Sequence, residues 1–326
     1  METVKKRDTL DKLKRIDLQR HAPVVLFFIL VIALTMTNRA FLSAQGMYNL
    51  MLQASSVGII ALGATLVLIS AGIDFTAGHG MALAGVVGGY FYVLSGNNGL
   101  VLIVAAVTTG AVLGLVNGTL IAKLKLPPFI ATLAMMTVCL GLALMVSEGR
   151  RIMIQAPWVL SFGQGRLFGV IPPVFLVYLS VVVLMFLLLN YTKLGVYTYA
   201  MGGNEDAVKY AGVNTSRYKM LVYIVAGICY GIAAVVVSAK VTIITPSISS
   251  TLLLDGIASA VVGGTSLTGG RGRVFGTVIG TLIILLISTL LTFLRVPSLL
   301  RDALRGAIII GILLFDVIMV RLSKRK

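Results

Sequence analysis

GLVLIVAAVTTGAVLGLVNGTLIA, residues 99–122, is an apolar run without a single charged side chain. About 20 such residues in helical form cross the hydrocarbon core of a bilayer. Within it Gly110, Gly114 and Gly118 recur every four residues. That spacing lets two helices bring their backbones together in lipid, where burying apolar surface supplies no drive. The stretch reads as a membrane helix packed in a bundle.

Similar runs extend outward on both sides. Pro23 to Thr37, Tyr48 to Ile69 and Gly80 to Leu94 precede it. Phe129 to Val146, Pro173 to Leu189, Met220 to Ala239, Leu252 to Val262, Val274 to Leu294 and Ala303 to Val320 follow. The expected fold is an all-α polytopic membrane protein of about ten transmembrane segments. Leu252 to Val262 is too short to span and is expected to be re-entrant or broken, a form tolerated only where protein or water covers the freed backbone groups. Pro23 to Thr37 follows a basic tail but lacks a convincing small-residue cleavage pattern, so it reads as the first span and not as a leader. With 58% hydrophobic and 12% charged residues among 326, no sizeable soluble domain fits.

The net charge of +16 does not point to nucleic acid, because the Lys and Arg residues sit between apolar runs instead of on one face. With ten crossings and an inside start, 19 of them fall in the amino tail, Lys123 to Pro128, Tyr191 to Lys219, Gly264 to Arg273 and Arg321 to Lys326, leaving 8 near the outer ends. Both termini are therefore expected in the cytoplasm. Cys139 and Cys229 lie inside apolar stretches and signal neither a disulfide nor a metal site.

An internal similarity at constant offset relates Thr109–Pro127 to Ile279–Pro297, pairing Gly110 with Gly280 and Lys125 with Arg295. The expected topology makes it a weak inverted repeat, the device by which many transporters build two half-structures around a central site.

Four acidic residues lie in or beside apolar runs: Asp74, Asp255, Asp302 and Asp316. Asp74 sits between Gly72 and Gly78, where it either walls a solute route or caps the helix that follows. Asp255 opens a glycine-dense stretch through Gly263-Gly264-Thr265-Ser266 to Gly269-Gly270-Arg271-Gly272. The density implies close backbone approach or an unwound helix, and the stretch does not match the phosphate-cradling loop pattern with its Lys followed by Ser or Thr. His79 near Asp74 suggests a proton relay or, more simply, a packing residue. Arg301, Arg305 and Arg321 offer partners to Asp302 and Asp316.

Between two spans lies Gly202-Gly203-Asn204-Glu205-Asp206-Ala207-Val208-Lys209-Tyr210-Ala211-Gly212-Val213. Asn204 is a natural N-cap, Glu205 and Asp206 suit the first turn, and Gly212 suits a stop. The pattern predicts a short helix outside the membrane. Ala207, Val208, Tyr210 and Ala211 give it an apolar side, as docking on a cytoplasmic partner or lying on lipid requires.

The chain resembles the permease family of ribose- and galactose-type ABC importers over nearly its whole length. The resemblance is carried by Gly72-Ile73-Asp74, Val116-Asn117-Gly118, Leu126-Pro127-Pro128-Phe129-Ile130-Ala131-Thr132-Leu133, Gly202-Gly203-Asn204, Ala211-Gly212-Val213-Asn214, Leu254-Asp255, Val261-Val262-Gly263-Gly264-Thr265-Ser266 and Gly269-Gly270-Arg271-Gly272. It implies a cytoplasmic tail (1–22), a transmembrane permease body (23–320) with a coupling segment at 199–219, and a cytoplasmic C-terminal tail (321–326).

It also implies a bacterial cytoplasmic-membrane protein paired with a second permease subunit, the same or paralogous. A cytoplasmic ATPase would bind ATP and magnesium, an external binding protein would deliver a monosaccharide or related solute, and this chain would carry no cofactor. Gly203 to Val213 matches the family's coupling element. Asp74, Thr76, Asn117, Phe129, Thr132, Asp255, Thr265 and Ser266 are the implied route residues.

Two stretches depart from the family. Ser288-Thr289-Leu290-Leu291-Thr292 stands where an Asn-Gly-Leu-Asn run is common, and Leu299-Leu300-Arg301 where an aromatic residue precedes Gln. Nucleosides, polyols or a signalling sugar derivative therefore stay open beside pentoses and hexoses. The rival readings are an ion-coupled secondary carrier using Asp74, Asp255 and His79, and a membrane enzyme, for which no triad or metal-ligand cluster is present.

Overall fold

The computed structural model describes residues 23–246, 250–297, 300–308 and 310–311. Both tails, Asp316 and much of the tenth apolar run lie outside the described residues. The order is α1 (Pro23–Thr37), α2 (Ala44–Ile69), α3 (Thr76–Leu94), α4 (Gly99–Ala122), α5 (Pro128–Ser147), α6 (Pro157–Gln164), α7 (Pro173–Tyr191), α8 (Lys193–Tyr210), α9 (Thr215–Val241), α10 (Ser250–Val262) and α11 (Val274–Phe293). Residues 300–308 begin a further helix, α12.

Seven of these, α2 to α5, α7, α9 and α11, are long and apolar enough to cross a membrane. α2 is apolar on every side and buried from Ala54 to Ile69, as expected of a helix at the centre of a bundle. Side chains of α7, α9, α10 and α11 pack around it. Val104, Val112, Ile130, Val138, Val183 and Leu184 face outward, an apolar exterior that suits lipid as solvent.

The glycine run of α4 does what its spacing predicts. A Cβ on Gly110 would overlap the Gly227 carbonyl oxygen of α9, and one on Gly114 the Tyr223 carbonyl oxygen. α10 has 13 residues, about 20 Å of rise, so the eighth segment is the short element expected.

Some boundaries exceed the apolar runs. α3 starts at Thr76, four residues before Gly80, because Asp74 Oδ1 accepts the Thr76 amide at 2.8 Å. α9 starts at Thr215 because Asn214 Oδ1 accepts the Arg217 amide at 3.0 Å. Polar first turns escape a reading based on hydropathy. The same reading misses α6, the first half of α8, and a two-stranded antiparallel ribbon, β1 (Ile152–Met153) with β2 (Ile243–Ile244).

The internal similarity falls on α4 and on α11 with the turns that follow them. At one end of the bundle α2 stops, its Ile69 carbonyl accepting the Gly270 amide, and α4 stops, its Ala122 carbonyl accepting the Ser216 hydroxyl. At that same end α9 starts beside Ser216 and α11 starts after Gly270. The matched helices therefore run in opposite directions. Lys125 and Arg295, paired by the sequence, both take left-handed φ of 59° and 56° just after α4 and α11, a conformation uncommon outside glycine.

Candidate functional site

The end of the bundle where α2 and α4 stop carries a projecting knob. α8 is kinked at Asn204, whose φ of −161° and ψ of 101° are extended. There the Asn204 Oδ1 accepts the Ala207 amide at 2.9 Å, so a fresh helical turn begins with Asn204 as its N-cap. Gly212, at φ 83°, turns the chain away.

Gly203, Asn204, Asp206, Ala207, Lys209, Tyr210, Ala211 and Gly212 are exposed, while Glu205 and Val208 are half-buried. Tyr210 is 89% exposed. Glu205 is tied to Lys219 at the start of α9 by an ion pair. Burial would raise the Glu205 pKa, but the Lys219 hydrogen bond and charge, with Lys125 and Thr215 adding to them, hold it below its ordinary value.

At the base of the knob, backbone packs directly on backbone. Gly202 lies so close to the Ile69 carbonyl oxygen and the Gly270 nitrogen that any Cβ there would overlap both. Gly269 and Gly270 take φ of 87° and 71°, the Gly270 amide donates to Ile69 O at 2.9 Å, and the Tyr199 hydroxyl donates to Gly272 O at 2.9 Å. The knob, the end of α2 and the loop leading into α11 meet in this one seam.

Beneath that face, the chain from Gly72 to Phe75 turns back into the bundle and gathers five of the expected route residues. Tyr230 of α9 donates to Asp74 Oδ2, and Asp74 Oδ1 holds the Thr76 amide. Asn117 Nδ2 donates to Thr76 Oγ1 at 2.9 Å, which donates to Thr132 O at 3.3 Å. Thr132 Oγ1 lies 2.8 Å from Pro128 O and 3.2 Å from Ile73 O. Phe129 meets Phe75 edge-on with centroids 5.5 Å apart.

Asp74, Thr76, Asn117 and Thr132 are all buried, and together they pin a broken helix start to α4, α5 and α9. Asp74 closes a tight turn onto the Thr76 amide, one residue ahead of Phe75 at the N-cap position of α3. His79 does not join the network, its buried Nδ1 having no partner among the described residues.

Asp255, Thr265 and Ser266 stand apart from this cluster. Arg305 Nη1 donates to both Asp255 oxygens at 3.0 Å, so Arg305 serves α10 and not Asp302, the partner its position in the sequence suggests. Thr265 is buried, and Ser266 Oγ lies 2.8 Å from Thr268 Oγ1. The partners Tyr230 and Lys219 carry no signal in the sequence. Tyr230 lies 156 residues from Asp74, and nothing local to either residue announces the pair.

A family model described as the branched-chain amino acid transport system / permease component matches residues 46–313. The chain belongs to that family. It is 37% identical to the ribose import permease protein of Bacillus subtilis (strain 168), covering 92% of this chain and 93% of the relative. It is 33% identical to the L-arabinose ABC transporter permease protein of Azospirillum brasilense, over 92% and 88%. To the galactofuranose transporter permease protein of Escherichia coli (strain K12) it is 35% identical, over 80% and 76%. No solved structure matches. The permease is thus a multi-pass membrane subunit that transports and is not an enzyme.

Proposed function

We propose that this permease is the membrane-spanning subunit of a binding-protein-dependent ABC importer that moves a monosaccharide or a closely related solute inward. Its relatives are named for ribose, L-arabinose and galactofuranose, which supports a sugar as the solute class. Two permease subunits stand side by side in the cytoplasmic membrane with both termini inside. A cytoplasmic ATPase binds ATP and magnesium, and an external binding protein delivers the solute.

The observation that carries this reading is the capped, exposed turn Glu205–Tyr210, fastened through Gly202 to the end of α2. The groove of the ATPase receives that turn. When nucleotide closes the ATPase, the knob moves as a unit because the Asn204 cap holds its turn together and the Glu205–Lys219 pair ties it to α9. Motion then passes through the glycine seam to α2 and α11, which border the centre of the bundle, and the permease exchanges inward-open for outward-open states. Asp74, Thr76, Asn117, Phe129 and Thr132 shape the route by holding the broken start of α3, and Asp255, Thr265 and Ser266 shape the opposing half.

The test is ATP-driven uptake by the reconstituted permease, ATPase and binding protein. Ala207→Arg places a bulky charge on the docking turn and is expected to abolish uptake while membrane insertion is unchanged. Wild-type uptake by that variant overturns the docking role.

A further inference from the structure

We infer that the loop Thr265–Arg273 is a second contact point for the ATPase, forming one docking surface with the knob. This rests on the coupling reading above and extends it to residues outside the coupling element.

The loop is built as a rigid turn. The Ser266 amide donates to Arg271 O at 2.9 Å and the Gly269 amide to Ser266 O at 3.3 Å. Ser266 Oγ also accepts the Thr268 amide at 3.2 Å. Thr265, at its root, is 2% exposed. At its tip Leu267 is 52% exposed, with Thr268, Arg271 and Arg273 also exposed.

The loop is continuous with the knob. A Cβ on Gly270 would reach the Gly203 nitrogen at 3.1 Å, and one on Gly269 the Gly202 carbonyl oxygen at 2.7 Å. Two protrusions welded at their bases cannot approach a partner separately, so whatever receives Tyr210 also meets the loop. One outward leucine flanked by Arg271 and Arg273, with Lys209 and Arg217 on the knob side, fits a protein surface with an apolar recess rimmed by carboxylates. Desolvated apolar anchors at the middle of an interface carry most of its energy.

The only cysteines, Cys139 and Cys229, are buried, so a single cysteine introduced on this face is the only accessible thiol among the described residues. In membranes holding the assembled permease and ATPase, Tyr210→Cys and Leu267→Cys are each treated with a short thiol-reactive photo-crosslinker. Both are expected to link to the ATPase. Linking from Tyr210→Cys but not Leu267→Cys, or linking of Leu267→Cys to lipid alone, overturns the second contact and leaves the coupling reading standing. Failure of both overturns the two together. In a second measurement Leu267→Asp is expected to lower solute-stimulated ATP hydrolysis about tenfold, equivalent to one lost anchor. An unchanged rate contradicts the inference.

Discussion

Asp74 shows how much of this site depends on single hydrogen bonds. Both of its oxygens are taken, one by the Thr76 amide and one by the Tyr230 hydroxyl, and removing one partner of a buried pair costs about 1–3 kcal/mol. Tyr230→Phe is expected to lower the melting temperature of the solubilised permease, whereas a surface substitution such as Asp206→Asn is not. Asp74→Asn keeps a carbonyl oxygen for the Thr76 amide, and the Tyr230 hydroxyl is free to turn and accept. ATP-driven uptake is expected to survive Asp74→Asn and fail in Asp74→Ala. An ion-coupled carrier working through this carboxyl predicts that both fail.

Glu205 allows a test by pH. Its folded pKa lies below the ordinary carboxylate value, so its stabilising contribution is present above the unfolded pKa and is lost only as pH falls through the lower folded one. The stability advantage of the wild type over Glu205→Gln is expected to stay flat from about pH 7 to about pH 5 and to vanish only below the ordinary carboxylate range. An advantage that already shrinks by pH 5 contradicts the ion pair.

At the scale of elements, Gly202 and Gly203 make a controlled comparison. A side chain on Gly202 collides with the Ile69 carbonyl, whereas one on Gly203 meets nothing within 4 Å. Gly202→Val is expected to push the knob off the seam, so that the ATPase still hydrolyses ATP while uptake falls more than about tenfold. Gly203→Ala is expected to behave as wild type. Equal uptake by both variants contradicts transmission through the seam.

The neighbouring elements also show where the sequence is readable. The N-cap and stop of the knob are local patterns, and Asn204 and Gly212 behave as their side chains dictate. α6 and the Lys193–Gly203 half of α8 were not legible, because each is too short or too polar to stand out against the spans. The pairs Arg305 with Asp255 and Tyr230 with Asp74 are long-range, and only packing brings them together.

For the whole molecule, the polytopic all-α architecture follows from apolar runs bounded by charge, since a bilayer leaves a chain few ways to satisfy its backbone. Three of the segments expected inside from their Lys and Arg content, Lys123 to Pro128, Tyr191 to Lys219 and Gly264 to Arg273, converge at one end of the bundle. The inverted relation of α2 and α4 to α9 and α11 gives the permease two opposed halves, and the seam attaches the knob to both.

Coupling requires that this end of the bundle face the cytoplasm and be covered there by the ATPase. The direct measurement is labelling of Tyr210→Cys by a membrane-impermeant maleimide in oriented vesicles, with and without the ATPase. The expected result is reaction only in inside-out vesicles and protection when the ATPase is bound. Reaction from the outer side, or labelling unaffected by the ATPase, contradicts it.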